Sequence, residues 1–319
     1  MSTTALKLIA LVLMVIDHTG EFIPNMPVAL HWIGRLSAPI FVFCTVEGFS
    51  HTRSKKRYML RLYTAGVLMG LLDRLVPYIG HAIPNFSPEK TWIQNNIFRT
   101  LFCILVICFL IDLFQKKDKN FKKYLLIYGV WQAGSYCILD LIPKLITPSA
   151  LSETILGFLP NLLGSIYYLE GGWFFLLLGA LLYLVKDHKR TLAVGYFSFC
   201  FVYFLLTVTQ FIPRVLIKLQ YFAYRLDLRG LAGLSSMLSG FEGVLFDFCM
   251  SHSGLEPGYS SGLNLFFTDY QWMMIGALPF LLAYNGQKGK GYKYFFYFFY
   301  PIHIFLLYFI GGLIGGMSG

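Results

Sequence analysis

Residues 6–22 read LKLIALVLMVIDHTGEF. An unbroken apolar run, Leu8–Ile16, is bounded by Lys7 on one side and by Asp17 and His18 on the other. No small-residue cleavage site follows it, so the segment reads as a permanent first helix rather than a removable signal. Charged groups inside a bilayer are costly and usually serve a function. Lys7 and His18 are eleven residues apart. At 100° per residue that is about 1100°, which puts them on nearly one helix face, about 16 Å apart along the axis.

The rest of the chain repeats the apolar pattern. Of its 319 residues, 56% are hydrophobic, 18% aromatic and only 13% charged. Mean hydropathy is +0.61. A soluble domain carries about 25% charged residues. A spanning helix needs about 20 mostly apolar residues, and nine stretches meet this: 4–23, 30–50, 58–80, 95–115, 124–146, 170–186, 191–213, 270–286 and 294–316. Their backbone must be satisfied internally, which selects helix. The fold class is therefore all-α and polytopic, a bundle of about nine to eleven transmembrane helices forming a single domain over 1–319.

The net charge of +10 comes from 26 Lys and Arg against 16 Asp and Glu. In a soluble chain it would point to nucleic acid. Here four short loops hold 16 of the 26 basic residues: Arg53, Lys55, Lys56, Arg57 and Arg61; Lys116, Lys117, Lys119, Lys122 and Lys123; Lys186, Lys189 and Arg190; Lys288, Lys290 and Lys293. With nine helices all four loops fall on one side, the cytoplasmic one. The N-terminus is then inside, the C-terminus outside, and no nucleic-acid partner is implied.

Two stretches do not read as hairpins. Segment 140–169, with Pro143, Pro148 and Pro160, reads as an outer loop with short helices. In 214–268, Arg214, Lys218, Arg225 and Arg229 fall within about 60° of one another on a helical wheel, an interfacial helix with one basic face. After it, 231–250 is apolar but interrupted by Glu242 and Asp247, which leaves open whether 231–268 spans or re-enters. The six cysteines form no CxxC or Cys/His cluster, so neither a disulfide framework nor a metal site is expected.

The candidate chemistry lies at the start of the chain. His18 is the candidate general base. Asp17 points about 100° away from it, so the carboxylate orienting the imidazole is sought on another helix, with Glu47 the candidate and Asp17 free to pair with Arg35. Arg35 would stabilise an oxyanion or bind a carboxylate. Glu47 and His51 share a face four residues apart, just before the basic run 53–57, and together with Lys7 form a mouth for an anionic donor. On the last helix His303 follows Pro301, whose missing N–H frees a carbonyl. His31, His81, His188 and His252 fall in loops or at ends and receive no role.

These residues resemble a known family. The opening 6–20, the block IGRLSAPIF at 33–41, VEGFSHTR at 46–53, NIFRTL at 96–101, LAYNG at 282–286 and FFYPIH at 298–303 are similar to the TraX family. The family takes its name from a protein that N-acetylates a pilin subunit. It resembles the wider bacterial group of transmembrane acyltransferases, which have ten residues between a basic residue and a helix-1 histidine, as Lys7 and His18 do. The resemblance implies acetyl-CoA as donor, no metal, a tunnelled bundle in the bacterial cytoplasmic membrane, and His18 as catalytic base with Asp17, Arg35 and Glu47 around it. Lys7, His51, Arg53, Lys55, Lys56, Arg57, Asn285 and His303 would serve the donor, with His303 facing the same cavity as His18. The acceptor would be an amine or hydroxyl of a membrane-embedded or extracytoplasmic peptide, glycan or lipid. Membrane lipids are further partners, and a homo-oligomer is compatible with the sequence. Segments 132–169 and 214–268 have no recognised counterpart. The reading from another class is a proton-coupled secondary transporter, since intramembrane His, Asp, Glu and Arg also build proton relays. No internal repeat of the kind transporters carry is visible.

Overall fold

A computed structural model describes residues 1–239, except 146 and 148, and residues 264–318, except 268. Pro148, Glu242, Asp247, Cys249, His252 and most of the 231–268 question lie outside the described residues. Within them the elements are α1 (Thr3–Phe22), α2 (Ala29–Gly34), α3 (Ser37–Ser50), α4 (Lys55–His81), α5 (Ile97–Gln115), α6 (Phe121–Leu145), α7 (Ala150–Leu163), α8 (Gly172–Val185), α9 (Lys189–Thr209) and α10 (Phe211–Leu228). A 3-10 segment (Tyr270–Ala277), α11 (Leu278–Leu282) and α12 (Lys293–Ser318) follow. No strand is present among the described residues.

The chain is a polytopic helical membrane protein. Among the described residues, six helical stretches are long and apolar enough to cross a membrane: Ala29–Ser50, Lys55–His81, Ile97–Gln115, Phe121–Pro143, Lys189–Thr209 and Tyr294–Met317. The α1 helix, 20 residues long, packs against α2, α3 and α12 while carrying Lys7, Asp17, His18 and Glu21. Two expected spans come out short. Segment 170–186 becomes the 14-residue α8, because Gly171 and Gly172 adopt positive φ and start the helix late. Segment 270–286 divides into the 3-10 turn and the five-residue α11. The 30–50 span is broken at Arg35 and Leu36, so α2 and α3 are separate helices.

The expected outer loop 140–169 is more ordered than its prolines suggest. The α6 helix runs through Pro143. Ser149 and Ser152 form a reciprocal cap that starts α7, and Gly164 ends it at φ 57°. The α10 helix buries Leu216, Ala223 and Leu226 and exposes Arg214, Lys218, Arg225 and Arg229 together with Val215, Tyr221 and Tyr224.

Outward surfaces are apolar. Leu68, Leu71, Leu72, Leu75 and Ile79 on α4 are exposed, as are Leu125, Leu126, Ile127 and Val130 on α6 and Val194, Phe197, Phe201 and Val202 on α9. Apolar faces of this extent suit hydrocarbon, not water.

The basic loops converge at one end. Asp112, near the end of α5, pairs with Lys55 at 2.7 Å and Lys116 at 3.0 Å and accepts from Tyr183 Oη at 3.2 Å. The N-terminus docks on the loop before α12: Thr3 N donates to Gln287 O at 2.8 Å, Asn285 N to Met1 O at 3.0 Å, and the Met1 ammonium to Ala283 O. The first and last helices are thereby clasped side by side.

At their other end, glycines set the spacing. A Cβ at Gly311 would lie 1.9 Å from Phe22 O, and one at Gly315 would lie 2.0 Å from Ser87 O. Small residues let membrane helices and their neighbours approach to backbone contact. Gly311→Val should lower the thermal midpoint of the detergent-purified protein, with a cost of about 1–3 kcal/mol typical of overpacking. Gly129→Ala on α6, where a Cβ meets nothing within 4 Å, should leave the midpoint unchanged or slightly raised; fluorescence-detected unfolding of the two variants checks the pair.

Candidate active site

The docking of α12 on α1 brings two histidines together. His18 Nδ1 lies 2.8 Å from His303 Nε2, with the rings nearly parallel and edge to edge, 5.0 Å between centroids and 6° between planes. Both are buried. The partners assign the protons. Phe299 O, 2.9 Å from His303 Nδ1, can only accept, so His303 Nδ1 carries a hydrogen. With both rings neutral, His303 Nε2 then accepts from His18 Nδ1, and the free lone pair of His18 sits on Nε2. That atom faces Asn95 Nδ2 at 3.5 Å and Glu21 Oε2 at 3.8 Å. Glu21 is held in turn by Asn95 Nδ2 at 2.9 Å and Lys90 Nζ at 2.6 Å.

Asp17 belongs to a neighbouring network. Its Oδ1 is 2.8 Å from His31 Nδ1 and its Oδ2 is 2.5 Å from Arg35 Nη2. Arg35 Nη1 also donates to Gln271 Oε1 at 3.1 Å, and the guanidinium lies 5.6 Å from the Tyr270 ring centre. Gly34 makes this possible, because a Cβ there would sit 2.2 Å from Asp17 Cβ.

Glu47 corrects the expectation that it orients His18. The α3 helix runs back along α1, so Cys44 Sγ reaches Thr3 O and Glu47 lies near Tyr284 and Lys186, at the basic end. Its Oε2 is 3.5 Å from His51 Nδ1. The carboxylate beside His18 is Glu21, three residues along the same helix.

Two cavities meet here. One of about 600 Å³ is lined by His18, Asp17, Glu21, Arg35, Asn95 and Glu170. The other, about 310 Å³, is lined by Lys7, His51, Tyr58, Arg61, Lys288 and Tyr297. Met14, Phe41, Ile97 and Tyr300 line both. Tyr300 Oη donates to Glu170 Oε2 at 3.1 Å and accepts from Ile97 N at 3.2 Å. Glu170 stands in the connection before α8.

The remaining sequence candidates divide. Lys7 and His51 line the basic cavity. Arg53 in the loop before α4, and Lys56 and Arg57 in its first turn, are exposed and do not line it. Lys55 is tied to Asp112. Asn285 accepts from Gln287 N at 3.1 Å and holds the turn that seats the N-terminus rather than lining the cavity. His303 sits at His18, not at the donor mouth. Sequence reading missed His31, Asn95, Glu170 and Tyr300 as parts of the site, and Arg61 and Lys288 as wall residues of the basic cavity. Only the spacing of Glu21 from His18 carried a local signal.

Comparison with known proteins places the chain in a family. No solved structure matches the chain. The "Probable fimbrial assembly protein FimC, serogroup H1" of Dichelobacter nodosus is 35% identical to it over 71 residues, which are 21% of this chain and 29% of that protein. The match thus spans less than a third of that relative. The TraX protein family model matches residues 2–223, running through 132–169 and ending before the blocks at 282–303. The chain, with His18, Arg35 and the cavity-lining segments as far as α10 inside the match, belongs to the TraX family.

Proposed function

We propose that the protein is an acetyl-CoA-dependent membrane acyltransferase of the bacterial cytoplasmic membrane, acting on an amine or hydroxyl of a membrane-embedded or extracytoplasmic acceptor. The observation that carries this reading is the meeting of a basic-mouthed cavity with a histidine-lined one across Met14, Phe41, Ile97 and Tyr300. The relative named for fimbrial assembly and the family membership agree with a role in modifying pilus or surface material.

In this reading the basic loops face the cytoplasm, and Lys7, Arg61 and Lys288 receive the phosphates of the donor. The pantetheine arm follows the about 16 Å from Lys7 to His18 and presents the thioester at His18. The acceptor's nucleophile gives its proton to His18 Nε2 and forms a bond to the acetyl carbon. The tetrahedral oxyanion meets the Asn95 amide and the field of Arg35. Its collapse breaks the carbon–sulfur bond, and the coenzyme thiolate takes the proton back from His18. His303 holds the ring so that Nε2 points into the cavity. Glu21 stabilises the transient imidazolium.

Acetyl-CoA should raise the unfolding midpoint of the detergent-purified protein as a ligand of the folded state, beyond any shift from ATP as charge-matched control; equal shifts would leave only attraction to the basic loops and turn attention to the proton-coupled transporter. His18→Ala should lower transfer by at least the 10²–10⁴-fold typical of general-base loss while keeping the acetyl-CoA shift. Arg61→Ala should weaken acetyl-CoA binding about ten- to a hundredfold, the worth of a hydrogen bond to a charged group, with kcat little changed; steady-state kinetics separates these two effects.

A further inference from the structure

A third cavity, of about 420 Å³, lies between α4, α5, α6 and α7 and is lined by Asp73, Arg74, Gln94, Asn96, Arg99 and Asn161, with Glu170 at its edge. Glu170 also lines the His18 cavity, so the two spaces adjoin at that side chain. Asp73 is eighteen residues into α4 from Lys55, about 27 Å along the axis, which puts this cavity in the half of the bundle away from the basic loops.

The lining is unfinished. Asp73 is 2% exposed and its Oδ1 has no hydrogen-bond partner; Arg99 is 6% exposed and its Nε has none, nor has the Nε of Arg74. Each is nevertheless held in place. Arg99 Nη2 donates to Tyr168 O. The Arg74 guanidinium lies 5.8 Å from the Trp92 ring centre and fits against Gly157, where a Cβ would come within 2.5 Å of its Cζ. Asn96 Nδ2, donating to Asn161 Oδ1 and Gly66 O at 2.8 Å each, ties α5 to α4 and α7 around the cavity. Buried donors and acceptors without partners carry a desolvation penalty, and buried charges need counter-charges.

Donors decide what completes the site. Two guanidiniums face Asp73, with Glu170 at the edge bonded to Tyr300. Unpartnered donors outnumber unpartnered acceptors, the Nε atoms of Arg74 and Arg99 against Asp73 Oδ1. A cation would leave both donors unsatisfied. An anion with several oxygens accepts from both guanidiniums, whose forks match phosphate geometry, and a hydroxyl on the same ligand would donate to Asp73 Oδ1. Two guanidiniums from different helices, with Gln94 beside them, offer more donors than the two coplanar oxygens of a carboxylate accept.

We propose that the cavity walled by Asp73, Arg74 and Arg99 binds a phosphate-bearing headgroup, whose remaining polar part passes Glu170 to reach His18. As an acceptor site this rests on the acyl-transfer reading; as a phosphate site it stands without it.

The test is thermal unfolding of the purified full chain with inorganic phosphate, with phosphatidylglycerol added to the micelles, and with glycerol, at constant ionic strength. The midpoint should rise with phosphate or with phosphatidylglycerol, the responding arm identifying a free or a lipid-borne source, and glycerol should do less. Arg74→Gln should weaken the response at least tenfold, Asp73→Asn should preserve or strengthen it, and neither should change the shift caused by acetyl-CoA in the wild type. Arg74 is half-buried, so its variant is the one to rely on if Arg99→Gln fails to fold. No shift in either phosphate arm, a glycerol shift of equal size, or a response unchanged in Arg74→Gln overturns the site. A phosphate response without an acetyl-CoA response keeps the site and removes acyl transfer; the reverse keeps the donor reading and removes the site.

Discussion

The hydrogen bond between His18 and His303 joins the first helix to the last across almost the whole chain. It exists because polar groups in a membrane interior have no water to turn to and must find one another. The imidazole of α1 is satisfied by the imidazole of α12, which is satisfied by the Phe299 carbonyl of its own helix. Everything around it serves that approach. The N-terminus clasps the 283–288 turn at one end, and Gly311 and Gly315 admit Phe22 and Ser87 at the other. Loosening either end would part the rings and expose two unsatisfied nitrogens to a low-dielectric interior.

The same rule sorts the remaining intramembrane charges into separate networks. Asp17 is consumed by His31 and Arg35, which leaves His18 free of its nearest neighbour in sequence. Glu21 is fixed by Lys90 and Asn95 and faces the imidazole without donating to it. Glu47 lies at the basic end beside His51. Adjacent residues on one helix thus do different work because a 100° step sends them to different partners. The cavity lining around Asp73, Arg74 and Arg99 departs from the rule. There Asp73 Oδ1 and the Nε atoms of Arg74 and Arg99 are buried without hydrogen-bond partners, while Arg99 Nη2 and Asn96 Nδ2 are satisfied.

The arrangement of cavities gives the molecule a direction. Basic loops and Lys7 lie at one end, His18 lies in the far half of α1, and Glu170 stands between the His18 cavity and the polar one beyond. Tyr300 touches both sides of this path, accepting from Ile97 N and donating to Glu170, so α12 forms part of the wall in each space. The acyl transfer proposed above would run along this path.

By itself the sequence determined the class of solvent and the state of the backbone. Runs of about 20 apolar residues permit only helices in hydrocarbon, and the spacing of Lys7 and His18 placed both on one face. Asp17, next to His18 yet turned from it, was legible as a partner for Arg35. What the sequence left undetermined depends on contacts between distant segments. The direction in which α3 returns along α1 moved Glu47 away from His18. The late start of α8 at Gly171 left Glu170 as a free-standing wall residue. Pairing of α12 with α1 decided both the tautomer of His18 and which nitrogen meets the cavity. Periodicity reports which face of a helix is buried, but not against what. For charged groups in a membrane the identity of the partner decides the chemistry, and only the packed structure supplies it.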